Sequence, residues 1–133
     1  MKLYNSEKRE NESISGACVQ AKIIRKEDKK IYIIPTDQCP YRNSTVNDVV
    51  DFMHQPTRTM LGGASIAHKL HYSVFYMSLI PVSRGHYEWT FKEICRDAST
   101  MTPHSIMQEY YSLLQADLEK HPENYLWTHK RWK

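Results

Sequence analysis

From Tyr72 to Val82 the chain is almost continuously apolar, and this run constrains the fold more than any other segment. It is far shorter than the roughly 20 residues that a membrane-spanning helix needs. An apolar run of this length reads instead as a strand covered on both faces, the position that strands occupy inside a parallel sheet. Ahead of it, Gly62-Gly63 introduces Ala64, Ile66, Ala67 and Leu70, the spacing of a short helix whose small residues suit close packing on a sheet. Farther upstream, Ile31 to Ile34 is a β-branched and aromatic run closed by Pro35, the pattern of a buried strand. Strand, helix and strand in this order predict a βαβ unit and hence an α/β fold.

The segments around this unit are read the same way. Residues 1–14 are polar and charge-rich without apolar periodicity, a lead-in expected to be poorly ordered, and residues 15–133 form the domain. Within Gly16 to Lys30, Ala17, Ala21 and Ile24 suggest a short amphipathic helix. Cys39 to Thr59 carries Pro40, Asn43, Ser44, Asn47 and Pro56 among scattered apolar residues, which predicts a long loop with room for one helical turn. After Val82, Ser83-Arg84-Gly85-His86 has turn chemistry. Tyr87, Trp89 and Phe91 then alternate with Glu88, Thr90 and Lys92, a half-buried strand antiparallel to its predecessor. Thr102-Pro103 supplies an N-cap and first-turn residue for a helix that places Met107, Tyr110, Tyr111, Leu114 and Leu118 on one face and stops at His121-Pro122.

Composition narrows the classes of function. With 133 residues, 41% apolar and 25% charged, there is material for one core. Lys and Arg number 18 against 15 Asp and Glu, an excess too small to imply nucleic-acid binding. Cys18, Cys39 and Cys95 are odd in number and far apart, without the spacing of a zinc site, so reduced thiols in a cytosolic setting are expected rather than disulfides or a metal. No cofactor is expected. The cations that do cluster are C-terminal: Lys120, His129, Lys130, Arg131 and Lys133 among Tyr125, Trp127 and Trp132.

Three segments together carry a family resemblance. They are Ile33-Ile34-Pro35-Thr36-Asp37-Gln38-Cys39-Pro40, then Leu61 to Val82 followed by Arg84-Gly85-His86-Tyr87-Glu88, and last His121-Pro122-Glu123-Asn124-Tyr125-Leu126-Trp127-Thr128-His129-Lys130-Arg131-Trp132-Lys133. The last is similar to the closing Tyr-x-Trp-x-His-x-Arg-Trp-Lys signature of the late, secondary lipid A biosynthesis acyltransferases. Residues 15–133 resemble the later half of such a chain. Where that family often has Phe-Phe-Gly, this chain has Phe52-Met53-His54. The resemblance implies a partial glycerolipid-acyltransferase-like α/β fold, a mixed sheet flanked by helices, without the N-terminal catalytic part. It also implies acyl carrier protein as acyl donor, a lipid A precursor as acceptor, and a peripheral place on the cytoplasmic face of a Gram-negative inner membrane, the anchor lying outside this chain.

Members of the family use His-x4-Asp or His-x4-Glu, in which the imidazole takes the acceptor hydroxyl's proton and the carboxylate orients the ring. That motif lies upstream of the Asp-Gln segment, and here no histidine precedes Asp37. His104 and Glu109 have the right spacing. On one helix, however, five residues turn through about 140° and set the two side chains on different faces, so the pair reads as a chance match. Asp37 and Gln38, at a strand's end, are expected to line the site, or to cap the loop's own amides. Arg42 and Arg58 are candidates for phosphate contact, or solvated loop arginines. His129, Lys130, Arg131 and Trp132 face either anionic headgroups or the protein's own core, with Arg131 paired to a carboxylate. His68 and His71 read as packing or surface histidines rather than ligands, and Tyr110 and Tyr111 as core and rim of the helix rather than a binding platform.

The expected function is thus the C-terminal portion of a truncated lipid A acyltransferase, inactive alone. The alternative is a non-catalytic binding or scaffold domain of the same fold, contacting anionic membrane or carrier protein. A small enzyme built on His104 and Glu109 ranks third. A portion that lacks its first strands exposes a sheet edge and an apolar face, which predicts self-association.

Overall fold

The computed structural model describes residues 31–36, 47–125, 127–128 and 131–132. The expected lead-in over residues 1–14 and the helix from Gly16 to Lys30 lie outside these residues. The described part is a mixed α/β arrangement of two antiparallel hairpins and two helices: β1 (Asn47–Phe52), β2 (Gln55–Met60), α1 (Gly62–Leu70), β3 (Val74–Ser83), β4 (His86–Cys95) and α2 (Pro103–Lys120), with single 3-10 turns at Ala98–Thr100 and Pro122–Asn124.

Three expectations are corrected. The span expected to be a long loop folds as the hairpin β1–β2. Its buried side carries Val50 and Phe52 from β1 but Thr57 and Thr59 from β2, so an apolar count finds only half of the inward face. The Ile31–Ile34 run, expected to be a buried strand, has no strand partner among the described residues, and Ile31 is 93% exposed. Finally, β3 pairs with β4 in antiparallel register, so no parallel βαβ unit forms among the described residues. β3 is apolar on both sides, yet only one side is covered. Tyr76 and Ser78 point inward, whereas Phe75 and Leu79 lie outside with Tyr87, Trp89 and Phe91 of β4.

The turn between β1 and β2 is Met53-His54, with φ of 55° and 59°. Two left-handed residues in a row suit the right-handed twist of a two-residue hairpin, at a steric cost to any side chain beyond glycine. Asp51 stands opposite Pro56, a pair that needs no N–H from the proline. The Asp51 backbone turns outward, where its N–H donates to Gln108 Oε1 (2.9 Å) and its carbonyl accepts from Gln108 Nε2 (3.0 Å). The Met53 N–H donates to Gln115 Oε1 at 2.9 Å. Two glutamines of α2 thereby take the place of a third strand beside β1.

α2 begins as its sequence predicts. Thr102 Oγ1 accepts from the Ser105 N–H at 3.1 Å, Pro103 fills the first turn, and the helix ends at His121-Pro122. Its inner face, Ile106, Met107, Tyr111 and Leu118, forms one core with Val50, Phe52, Ala64, Cys95 and Ala98. The second hairpin is tied to the same helix through Asp117, which accepts from Tyr76 Oη (2.9 Å) and from Lys92 Nζ (3.1 Å). Burial acts to raise the Asp117 pKa, but hydrogen bonds from Ser78, Lys92 and Tyr76 outweigh it and hold the carboxyl below its ordinary value. The Tyr76 phenol is pushed up by burial and by its bond to Asp117.

α1 lacks a side-chain N-cap and ends at His71 in the left-handed region. What secures it is His68, whose Nδ1 donates to the carbonyls of Ala98 (3.0 Å) and Met101 (2.8 Å), the packing role expected for this histidine. A Cβ on Gly63 would meet Ile34 Cδ1 at 3.0 Å, so glycine here lets the 31–36 segment lie against the helix.

Replacing His54 with glycine is expected to stabilise the protein by about 0.5–1 kcal/mol, because relief of the left-handed strain exceeds the added freedom of the unfolded chain. Urea denaturation measures it, and a loss of stability would show that the His54 side chain is needed at the turn.

Candidate functional site

The best-defined polar centre lies where the C-terminal residues return to the core. Arg131 is only 2% exposed and is the only charged side chain buried among the described residues. Its Nη2 donates to the backbone carbonyl of Arg58 on β2 (2.7 Å) and to Tyr111 Oη on α2 (2.5 Å). The Tyr111 hydroxyl in turn donates to the Thr36 carbonyl at 2.8 Å. The guanidinium carbon stands 5.6 Å from the Tyr111 ring centroid, within cation–π range. Beside it, Trp132 stacks on Phe52 with centroids 6.0 Å apart, and its indole N–H donates to Thr57 Oγ1 at 2.8 Å. A guanidinium brought out of water is costly unless its donors are met and its charge is balanced. No carboxylate reaches Arg131 among the described residues, and its Nε and Nη1, with Thr36 Oγ1 and Thr59 Oγ1, are buried without a hydrogen-bond partner.

The residues singled out in the sequence fall as follows. Asp37, Gln38, Arg42, His129 and Lys130 lie outside the described residues. Arg58 is in β2 and takes part through its carbonyl. Arg131 is in the core, held by a carbonyl and a phenol rather than a carboxylate, while Trp132 is partly exposed. His104 and Glu109 both ride on α2, but the His104 ring donates through Nδ1 to the carboxylate of Asp48 on β1. That bond, ahead of a smaller opposing effect of burial, holds the Asp48 pKa below its ordinary value. Sequence spacing could not find this pair, because 56 residues separate its members. Tyr111 was read as packing, and its hydroxyl's role at the centre carried no sequence signal. Cys95 is a free, buried thiol whose pKa burial pushes up, and the described residues contain no group of His, Cys, Asp and Glu able to hold a metal. No helix among them is long and apolar enough to cross a membrane.

This centre ties together two of the segments that carry the resemblance, the residues before Asp37 and the C-terminal signature, and joins both to β2 and α2. Residues 12–133 match the family described as bacterial lipid A biosynthesis acyltransferase, and the chain belongs to that family. No curated protein and no solved structure matches the chain. Its general function is accordingly of the lipid A acyltransferase type.

Replacing Tyr111 with phenylalanine would strip the Thr36 carbonyl of a donor and Arg131 of an acceptor while preserving the ring. A loss of about 2–3 kcal/mol in chemical denaturation is expected for leaving such buried groups unmet; a change near zero would mean that the Tyr111 hydroxyl is not part of the core network.

Proposed function

We propose that these residues form the scaffold-bearing C-terminal portion of an enzyme that moves a fatty acyl chain from acyl carrier protein to a lipid A precursor at the cytoplasmic face of the bacterial inner membrane. The observation that supports this reading most is the Arg131 centre, in which the family's closing signature is anchored to the elements that lead into its Asp-Gln segment. By themselves the 133 residues are catalytically incomplete. No His-x4-Asp or His-x4-Glu stands upstream of Asp37, and the imidazole that has this spacing downstream, His104, is engaged with Asp48 instead. The test is acyl transfer from acyl carrier protein to a lipid A precursor, with the chain and its His104→Ala variant side by side. No product from either is expected. Product that disappears in the variant would make the Asp48–His104 pair a general base and overturn the reading.

The outer side of the β3–β4 hairpin supports a second part of the proposal, self-association. Phe75, Leu79, Tyr87, Trp89 and Phe91 lie on one face, with Leu79 paired to Trp89 across the strands, and Phe91 is 65% exposed. Half-exposed rings of this size present on the order of 500 Å² of apolar surface, toward the upper end of what a soluble monomer leaves open and of the size that marks an interaction site. Two copies meeting through this face bury roughly 1,000 Å² in all, the lower bound for a specific interface. Light scattering is expected to show a dimer or larger species, and the double change Trp89→Ser and Phe91→Ser to shift it to monomer. A monomeric parent chain would remove this part of the proposal.

A further inference from the structure

We infer that the outer edge of β4 is a pairing surface for the β4 of a second copy, the two strands running antiparallel about Thr90. The inference rests on the self-association reading and adds to it an edge contact separate from the aromatic face. From His86 to Glu93 every residue of β4 except the partly buried Thr90 is exposed, on both faces of the hairpin, and among the described residues its one strand partner is β3. β3 protects its own edge. Pro81 has no N–H, an irregularity interrupts the register between Pro81 and Ser83, and the Leu79 carbonyl accepts from Asn124 Nδ2 at 3.3 Å.

The same features fix which main-chain groups of β4 face outward. In an antiparallel ladder, opposed residues alternate between pairs that bond each other and pairs that turn their N–H and C=O away. Leu79 gives its carbonyl to Asn124, so its partner Trp89 turns away from β3 as well, and Tyr87 and Phe91 follow at the period of two.

The sequence of β4 then selects the partner. A second antiparallel strand must set outward residues against outward residues, which leaves a two-fold copy only a few registers. Centred on Thr90, near the middle of the strand, a copy places Glu88 opposite Lys92 and Trp89 opposite Phe91, each twice by symmetry. Centred on Glu88 or Lys92 it would oppose like charges, and centred on Trp89 or Phe91 it would leave Glu88 and Lys92 unmatched. Opposite charges and aromatic rings directly across two strands attract, and the Glu88–Lys92 pairs fall at the positions where side chains approach most closely. A lysine can guard an edge against pairing. Lys92 is matched instead, by Asp117 of its own chain at 3.1 Å and by Glu88 of the second copy.

Cysteine cross-linking of the full chain tests the register. Thr90→Cys sets a thiol opposite its own twin with Cα atoms about 4.5 Å apart, within disulfide reach. Oxidation is expected to give a covalent dimer on a non-reducing gel, well above the background set by the parent chain's own thiols. Glu88→Cys is expected to give none, because its twin stands about 13 Å along the sheet. Glu88→Lys opposes lysine to lysine twice and is expected to weaken association about tenfold in sedimentation. Thr90 and Glu88 lie on the side of the hairpin opposite Trp89 and Phe91, so contact through the aromatic face alone produces neither result. A parent chain that associates without a Thr90→Cys cross-link, or a Glu88→Lys chain that associates undiminished, overturns the edge contact and leaves the self-association reading standing. Should Thr90→Cys fail to fold, Glu88→Lys decides. A monomeric parent chain would leave the edge to a strand of another protein and overturns both.

Discussion

A single buried guanidinium organises the described part of this protein. Arg131 reaches into a core of aromatic and aliphatic side chains and bonds, through one nitrogen, the backbone of β2 and the hydroxyl of α2's central tyrosine, which itself fastens the backbone at Thr36. Burying a charge in this way contributes little to net stability, since desolvation offsets much of what the bonds return. Its value is in specificity. An apolar side chain at position 131 could slide against Phe52 and Tyr111 in many poses, whereas the guanidinium makes both of its Nη2 bonds in one, and that pose sets where Arg131 lies against the first hairpin.

α2 is the element that makes the two hairpins one body. One part of its surface presents Gln108 and Gln115 to the backbone of β1, and another presents Asp117 to Tyr76 and Lys92 of the second hairpin. Between them, Ile106, Met107 and Tyr111 fill the core. The two sides of the helix therefore work by different physics, neutral amide pairing toward the first hairpin and charge-assisted bonding toward the second, with the apolar face common to both.

The helix and the second hairpin were legible in the sequence because their signals are local: a threonine cap and proline at one end, a proline stop at the other, and a glycine-containing turn between two apolar runs. The first hairpin was not, because Thr57 and Thr59 carry its buried face and Met53-His54 stands at a turn where glycine or asparagine is the usual mark. The Ile31–Ile34 run misled in the opposite sense. Local apolarity does not say whether a partner strand exists, and Ile31 and Ile33 remain open to solvent. At the candidate site, the C-terminal signature drew attention to Arg131, but its partners are a main-chain carbonyl and a tyrosine 20 residues away, and neither backbone groups nor distant pairings carry a mark that side-chain spacing can detect.

The β1–β2 hairpin is a sheet of only two strands among the described residues, and side chains occupy some of the outward main-chain groups on both of its borders. Gln108 and Gln115 occupy main-chain groups along β1 and at the turn, and Arg131 occupies the Arg58 carbonyl along β2. A ribbon whose outward main-chain groups are partly taken by side chains is a poorer template for strand addition. The end built around Arg131 is thereby biased against gaining a further strand, and packing of side chains rather than extension of the sheet is what holds it together.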